Sequence, residues 1–143
     1  MFCNRTDNTA GTNAGQIKVI SGIDDSTLFT KDGENAGDSF GQECYFAGDI
    51  NNDGFDDVVI SSLWFDGVAG ADTGKIYSYS GIDGSLLYSP EVDTTGDFLR
   101  AVGSGDYNND GNSDILTVET GFVRIISGVD HGNLYSLAVV GET

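Results

Sequence analysis

A single histidine, one tryptophan, one proline and two cysteines occur in the chain, and only six lysines and arginines face 23 aspartates and glutamates. Each scarcity excludes something. Cys3 and Cys44 are too few for a disulfide framework, so they form one bridge or stay as two partly buried thiols. With one histidine, His131, no nucleophile and base recur at a usable spacing, and the chain reads as a non-enzyme. A formal charge of -17 repels nucleic acid and anionic lipid. The partners it leaves are cations, neutral surfaces and basic proteins. No apolar run approaches the roughly 18 residues of a membrane span. The opening MFCNRTDNTA is neither a signal nor a transit peptide, so an exported parent would carry its signal elsewhere. Asn4-Arg5-Thr6 fits the short glycosylation acceptor pattern.

What is present is β-sequence. Hydrophobic residues make up 38% and fall in short bursts, with no sustained 3.6-residue period, which argues against disorder and against helix. Twenty-one glycines suit many tight turns. A chain of 143 residues buries roughly two thirds of the surface its unfolded form exposes.

The chain is also written more than twice. SGIDDSTLF (21–29), SGIDGSLLY (80–88) and SGVDHGNLY (127–135) share Ser-Gly, an aliphatic residue, Asp, then Leu and an aromatic. Ahead of them stand QIKVI, KIYSY and FVRII, whose alternation places one side chain in and the next out. Gly22 to Gly37 and Gly81 to Gly96 both span 15 positions, and Gly74 to Gly81 and Gly121 to Gly128 both span 7. Length varies only in connections, as a repeated sheet unit predicts. Each full unit reads as four antiparallel strands, in the first copy at 40–47, 57–62, 75–80 and 86–90, which is the blade of a β-propeller. The expected division is 1–36 for the second half of a truncated blade, holding Phe2 and Cys3 at the end of its second strand, then blades at 37–95 and 96–143. About two and a half blades cannot close a ring, which implies a piece of a longer protein or a subunit completed by other chains.

Between the first and second strands lie DINNDGFDD (49–57) and DYNNDGNSD (106–114). Asp49, Asn51 and Asp53 occupy alternate places before Gly54, with Asp57 at the ninth place; the second copy has Asp106, Asn108, Asp110, Gly111 and Asp114. Alternating oxygen donors followed by glycine form the first half of a calcium loop, in which the carbonyls of Phe55 and Asn112 add a donor. An EF-hand would close on a glutamate and enter a helix, whereas here the last expected ligand is the ninth-place carboxylate, Asp57 or Asp114, which opens the strand sequences DVVISS and DILTV. Three carboxylates within about 4 Å repel by roughly 4 kcal/mol per pair at an effective dielectric near 20. An all-oxygen donor set selects a hard cation, Ca²⁺ over Mg²⁺, giving two expected sites. The bland alternative is a pair of solvated Asn/Asp/Gly turns.

GDSFG, then AGDINNDGFDDVVISS, then GKIYSYSG together resemble the FG-GAP repeat of integrin alpha chains and bacterial surface proteins, and the related VCBS-type repeats. That resemblance implies a calcium-binding propeller, usually seven-bladed, outside the cell and working in adhesion or recognition. Phe40 and Gly41 match the first half of the family's name. Phe98, followed by Leu99, departs from it, and Ser61-Ser62-Leu63 and Val118-Glu119-Thr120 replace the Gly-Ala-Pro segment.

In such a blade the acidic loops lie at the end opposite the variable connection between the second and third strands. The longer of these carries Trp64 and Phe65, which either meet a protein or glycan partner or fold back onto a neighbouring blade. His131 takes the turn position of Asp25 and Gly84, a solvent-facing place. The expected function is a non-catalytic, calcium-stabilised segment of an extracellular recognition or adhesion protein. Its alternatives are a self-assembling fibre or ring subunit and a propeller part of a polysaccharide-active enzyme.

Overall fold

The computed structural model describes residues 1–68, 70–90 and 99–139. Gly96 and Phe98, at the start of the blade expected at 96–143, and its last four positions, 140–143, lie outside them. Among the described residues there is no helix. The described residues form eleven strands in three antiparallel meanders. The first sheet holds β1 (Phe2–Asn4), β2 (Gln16–Ile20) and β3 (Thr27–Asp32), and the second holds β4 (Glu43–Gly48), β5 (Asp57–Ser62), β6 (Lys75–Tyr79) and β7 (Leu86–Tyr88). The third runs β8 (Arg100–Gly105), β9 (Asp114–Glu119), β10 (Phe122–Ile126) and β11 (Asn133–Ala138). Three such meanders packed side by side are the arrangement of propeller blades.

The period of two explains the stacking. Every residue of β5 is buried, so both faces of that strand are covered. Val58 and Ile60 on one face join Tyr77 and Tyr79 of β6 against Ile17, Val19 and Phe29 of the first sheet, with Phe40 between them. On the other face Val59 and Ile76 meet Leu99, Ala101 and Ile115 of the third sheet. One alternating pair of strands thus supplies half of two separate cores.

Backbone geometry repeats with the sequence. The turn residues Asp25, Gly84 and His131 all take positive φ, at 58°, 72° and 60°. In each copy the serine opening the turn donates to a carbonyl five residues on: Ser21 to Ser26, Ser80 to Ser85 and Ser127 to Gly132, all at 2.8 Å. Gly81 and Gly128 follow those serines for a steric reason. A Cβ at either would lie 2.0 Å from the Asp56 carbonyl or 2.2 Å from that of Ser113, where the acidic loop's end passes the turn. Gly22, in the sheet that has no such loop, would meet nothing.

Two strands of the middle sheet differ from expectation by more than one residue. The first of the middle sheet starts at Glu43 rather than 40, because Ser39 (φ 54°) and Gly41 (φ 83°) leave the extended region. Phe40 instead forms an isolated bridge with Gly15, its amide donating to the Ala14 carbonyl at 2.9 Å. The fourth strand stops at Tyr88, two residues before the expected end. In the next unit the buried place of Phe40 belongs to Leu99, whose amide donates to Thr73 just as that of Phe40 does to Ala14.

Cys3 and Cys44 are joined in a disulfide, with Cα atoms 6.7 Å apart, linking β1 to β4 across the first seam. Closing a loop of that separation stabilises the fold by about 4 kcal/mol in the chain-entropy account.

Candidate metal-binding loops

Each acidic loop joins the first strand of its sheet to the second, and β-branched residues then carry the chain into β5 or β9. Within the first loop Asp49 accepts from two amides of its own turn: Asp53 N–H to Oδ1 at 3.0 Å and Gly54 N–H to Oδ2 at 2.8 Å. Asn51 Oδ1 accepts the same Asp53 N–H at 3.2 Å, so the oxygens of places 1 and 3 converge on one nitrogen. Asp53 Oδ1 then takes the amide of Phe55 at 3.0 Å. The second loop repeats the pattern. Asp106 accepts from Asp110 at 3.0 Å and from Gly111 at 2.9 Å, Asn108 accepts from Asp110 at 2.9 Å, and Asp110 from Asn112 at 2.9 Å. Left-handed Asn52 and Asn109 (φ 58° and 62°) and Gly54 and Gly111 (φ 88° and 93°) make the winding possible.

Asp57 and Asp114 hold a different position. Both are fully buried. Asp57 receives the amide of Ile50 on Oδ2 at 2.8 Å and that of Gly81 on Oδ1 at 3.0 Å. Asp114 receives those of Tyr107 at 2.9 Å and Gly128 at 3.1 Å. Each carboxylate therefore pins the start of its loop to the turn after the third strand. Burial pushes the Asp57 carboxyl above its ordinary value, against the opposing pull of the Gly81 and Ile50 amides. Asp110, at the surface, is held low chiefly by the Asn112 amide, with the Asn112 and Asn108 side chains adding.

Among the described residues no three His, Cys, Asp or Glu side chains are gathered as a metal-holding group. The donor chemistry nevertheless suits a hard cation. Asp49, Asn51 and Asp53 present only oxygens toward one turn, and a carboxylate oxygen bonded to one amide keeps a further lone pair. Phe55 and Asn112 enter the loop pattern through their amides, and the Phe55 ring is exposed.

Two participants were not singled out from the sequence. Ser80 Oγ lies 3.2 Å from Asp53 Oδ2, and Ser113 N–H donates to the Asp49 carbonyl at 2.8 Å, joining one acidic loop to the other. The Ser-Gly pair present in all three copies was the available signal for the first. The second depends on how two sheets pack. Of the remaining candidates, Trp64 is partly exposed whereas Phe65 is buried, with the Lys75 ammonium 4.4 Å from its ring centre. The partner expectation therefore narrows to Trp64. His131 is stacked face to face on Tyr88, ring centres 4.1 Å apart, rather than standing free in solvent.

Residues 46–79 match the FG-GAP repeat family, a span running from the end of β4 through the first acidic loop to the end of β6. No curated protein matches the chain.

Proposed function

The chain carries an FG-GAP repeat, and from that premise we propose that it is a calcium-stabilised propeller segment of an extracellular recognition or adhesion protein, without catalysis of its own. The carrying observation is that six side-chain-to-amide bonds recur, residue for residue, in two loops of different flanking sequence. Solvated turns have no need of such agreement. Asp49, Asn51 and Asp53, and Asp106, Asn108 and Asp110, would hold the cation. Its chemistry there is charge neutralisation, with no bond made or broken. Asp57 and Asp114 act from behind, orienting the loop through its amides. The Cys3–Cys44 bridge supports the location, since such bonds persist in oxidising compartments.

Calcium titration with thermal unfolding tests this. Two equivalents are expected to bind, on the order of 0.1 to 1 mM as in extracellular modules. Each site stabilises by about 2.7 kcal/mol when calcium reaches a hundredfold excess over its dissociation constant. An Asp49→Asn, Asp106→Asn double variant should lose the response. Equal stabilisation by sodium chloride at matched ionic strength would overturn the proposal.

A further inference from the structure

The second seam, between the middle and third sheets, holds a half-open cavity of about 170 Å³. Two of its polar atoms are orphans. Thr117 Oγ1 and Arg124 Nε are buried and have no hydrogen-bond partner among the described residues, and the two residues are directly paired across β9 and β10, so they share one face. Thr117 is only 1% exposed. The same edge of the Arg124 guanidinium is partly engaged, Nη2 lying 2.5 Å from the Glu119 carboxylate, which leaves Nε as that edge's remaining donor. Leu99 gives the cavity an apolar wall, and the Tyr88–His131 stack gives it an aromatic one.

We propose that this cavity is a binding site for one neutral sugar ring. A buried donor or acceptor left unmade costs roughly 1–3 kcal/mol, so two beside each other on one wall call for a shared partner. Water alone fits poorly. Water reaches the cavity from its open side, but molecules against Leu99 and the Tyr88 ring have fewer polar partners than in bulk and are favourably displaced by an apolar face. An anion is disfavoured because Glu119 already compensates Arg124 and the whole chain is strongly negative. A pyranose offers what remains: hydroxyls for Thr117 and Arg124 Nε on one edge, and a C–H face for Leu99 and the aromatic wall. The site's own history in the repeat points the same way. The positions of Thr117, Arg124 and Glu119 are Ile60, Tyr77 and Ser62 in the middle sheet, where the first two lie packed in the core of the first seam. The inference is independent of the cation reading, since none of these residues belongs to either acidic loop.

The test is an amide-resolved NMR titration of the 143-residue chain with methyl glycosides of neutral hexoses and N-acetylhexosamines, each with and without calcium. Saturable shifts at Thr117, Arg124 and Asn133 are expected for at least one glycoside, and Thr117→Val, which keeps shape and strand preference, should weaken binding about tenfold or more. Tyr88→Leu should weaken it independently. Three results would each overturn the proposal: no saturable shift with any glycoside, shifts unchanged in Thr117→Val while that variant remains folded, or equal shifts with sodium acetate.

Discussion

At the first seam the facing places are held by Phe29, Phe40, Ile60, Tyr77 and Tyr79; at the second the corresponding places are Tyr88, Leu99, Thr117, Arg124 and Ile126. The backbone that presents them is the same, down to the amide bond that seats Phe40 and Leu99. The filling is not. In the first seam Phe40 meets Tyr77 edge to face at 5.1 Å, Tyr77 and Tyr79 lie parallel at 6.1 Å, and a disulfide closes the edge. The second pairs two orphaned polar atoms, Thr117 Oγ1 and Arg124 Nε, with a cavity, whereas in the first the orphaned Tyr77 hydroxyl is set among packed rings. The contrast teaches that a repeat conserves how its sheets meet while leaving open what lies between them, so one seam is packed solid and the other keeps space.

That contrast can be broken most forcefully by truncation. Phe40→Ala should cost about 3–5 kcal/mol in urea unfolding, the range for a fully packed aromatic, and Leu99→Ala should fall near 2 kcal/mol because its surroundings are already loose. Equal losses would mean that the seams are packed alike. A milder test copies the first seam into the second. Thr117→Ile, which installs the residue found at position 60, fills space and removes an orphaned hydroxyl, and is expected to stabilise by about 1 kcal/mol. Loss of stability there would show that the cavity is already filled by something Ile displaces.

The smallest effect is electrostatic. Asp38, buried beside the first seam, accepts from the Asn35 amide and carboxamide, whereas Glu119 at the second is paired with Arg124. Burial raises the Asp38 carboxyl above its ordinary 3.8, outweighing the Asn35 bonds, and the Glu34 and Asp66 charges add to it. The folded state therefore holds this proton more tightly than the unfolded chain. Its contribution is greatest below 3.8 and is lost as pH rises through the folded-state value. Asp38→Asn should flatten the thermal midpoint's decline across that window, and a pH profile identical to that of the parent would remove Asp38 from the account.

Much of this architecture could be read beforehand, and the reason is local. The second strand of the middle sheet was bounded correctly at 57–62 because an acidic loop ends where β-branched residues begin. Both loops were legible because alternate oxygen donors and a glycine are a spacing, and spacing survives without coordinates. The role of Asp57 and Asp114 as amide acceptors was hidden: their partners Gly81 and Gly128 lie 24 and 14 residues away and meet them only once the sheet forms. Register misled at Phe98, where an aromatic suggested the family's phenylalanine, although Leu99 stands at the same distance from Gly96 as Phe40 from Gly37. Neither the Tyr88–His131 stack nor the orphaned pair at Thr117 and Arg124 had any sequence signature. Alternation tells which side a residue faces, not how well the opposite wall fits.

The sulfur link between β1 and β4 also sets how the molecule would bear a mechanical load. A pull transmitted along the chain from the Met1 side crosses from residue 3 to residue 44 through that bond, so the 41-position stretch between them is bypassed and β2 and β3 carry none of it. Roughly 140 Å of contour length is thereby withheld from extension until a reductant frees it, and a tether of this kind would lengthen in two stages rather than one.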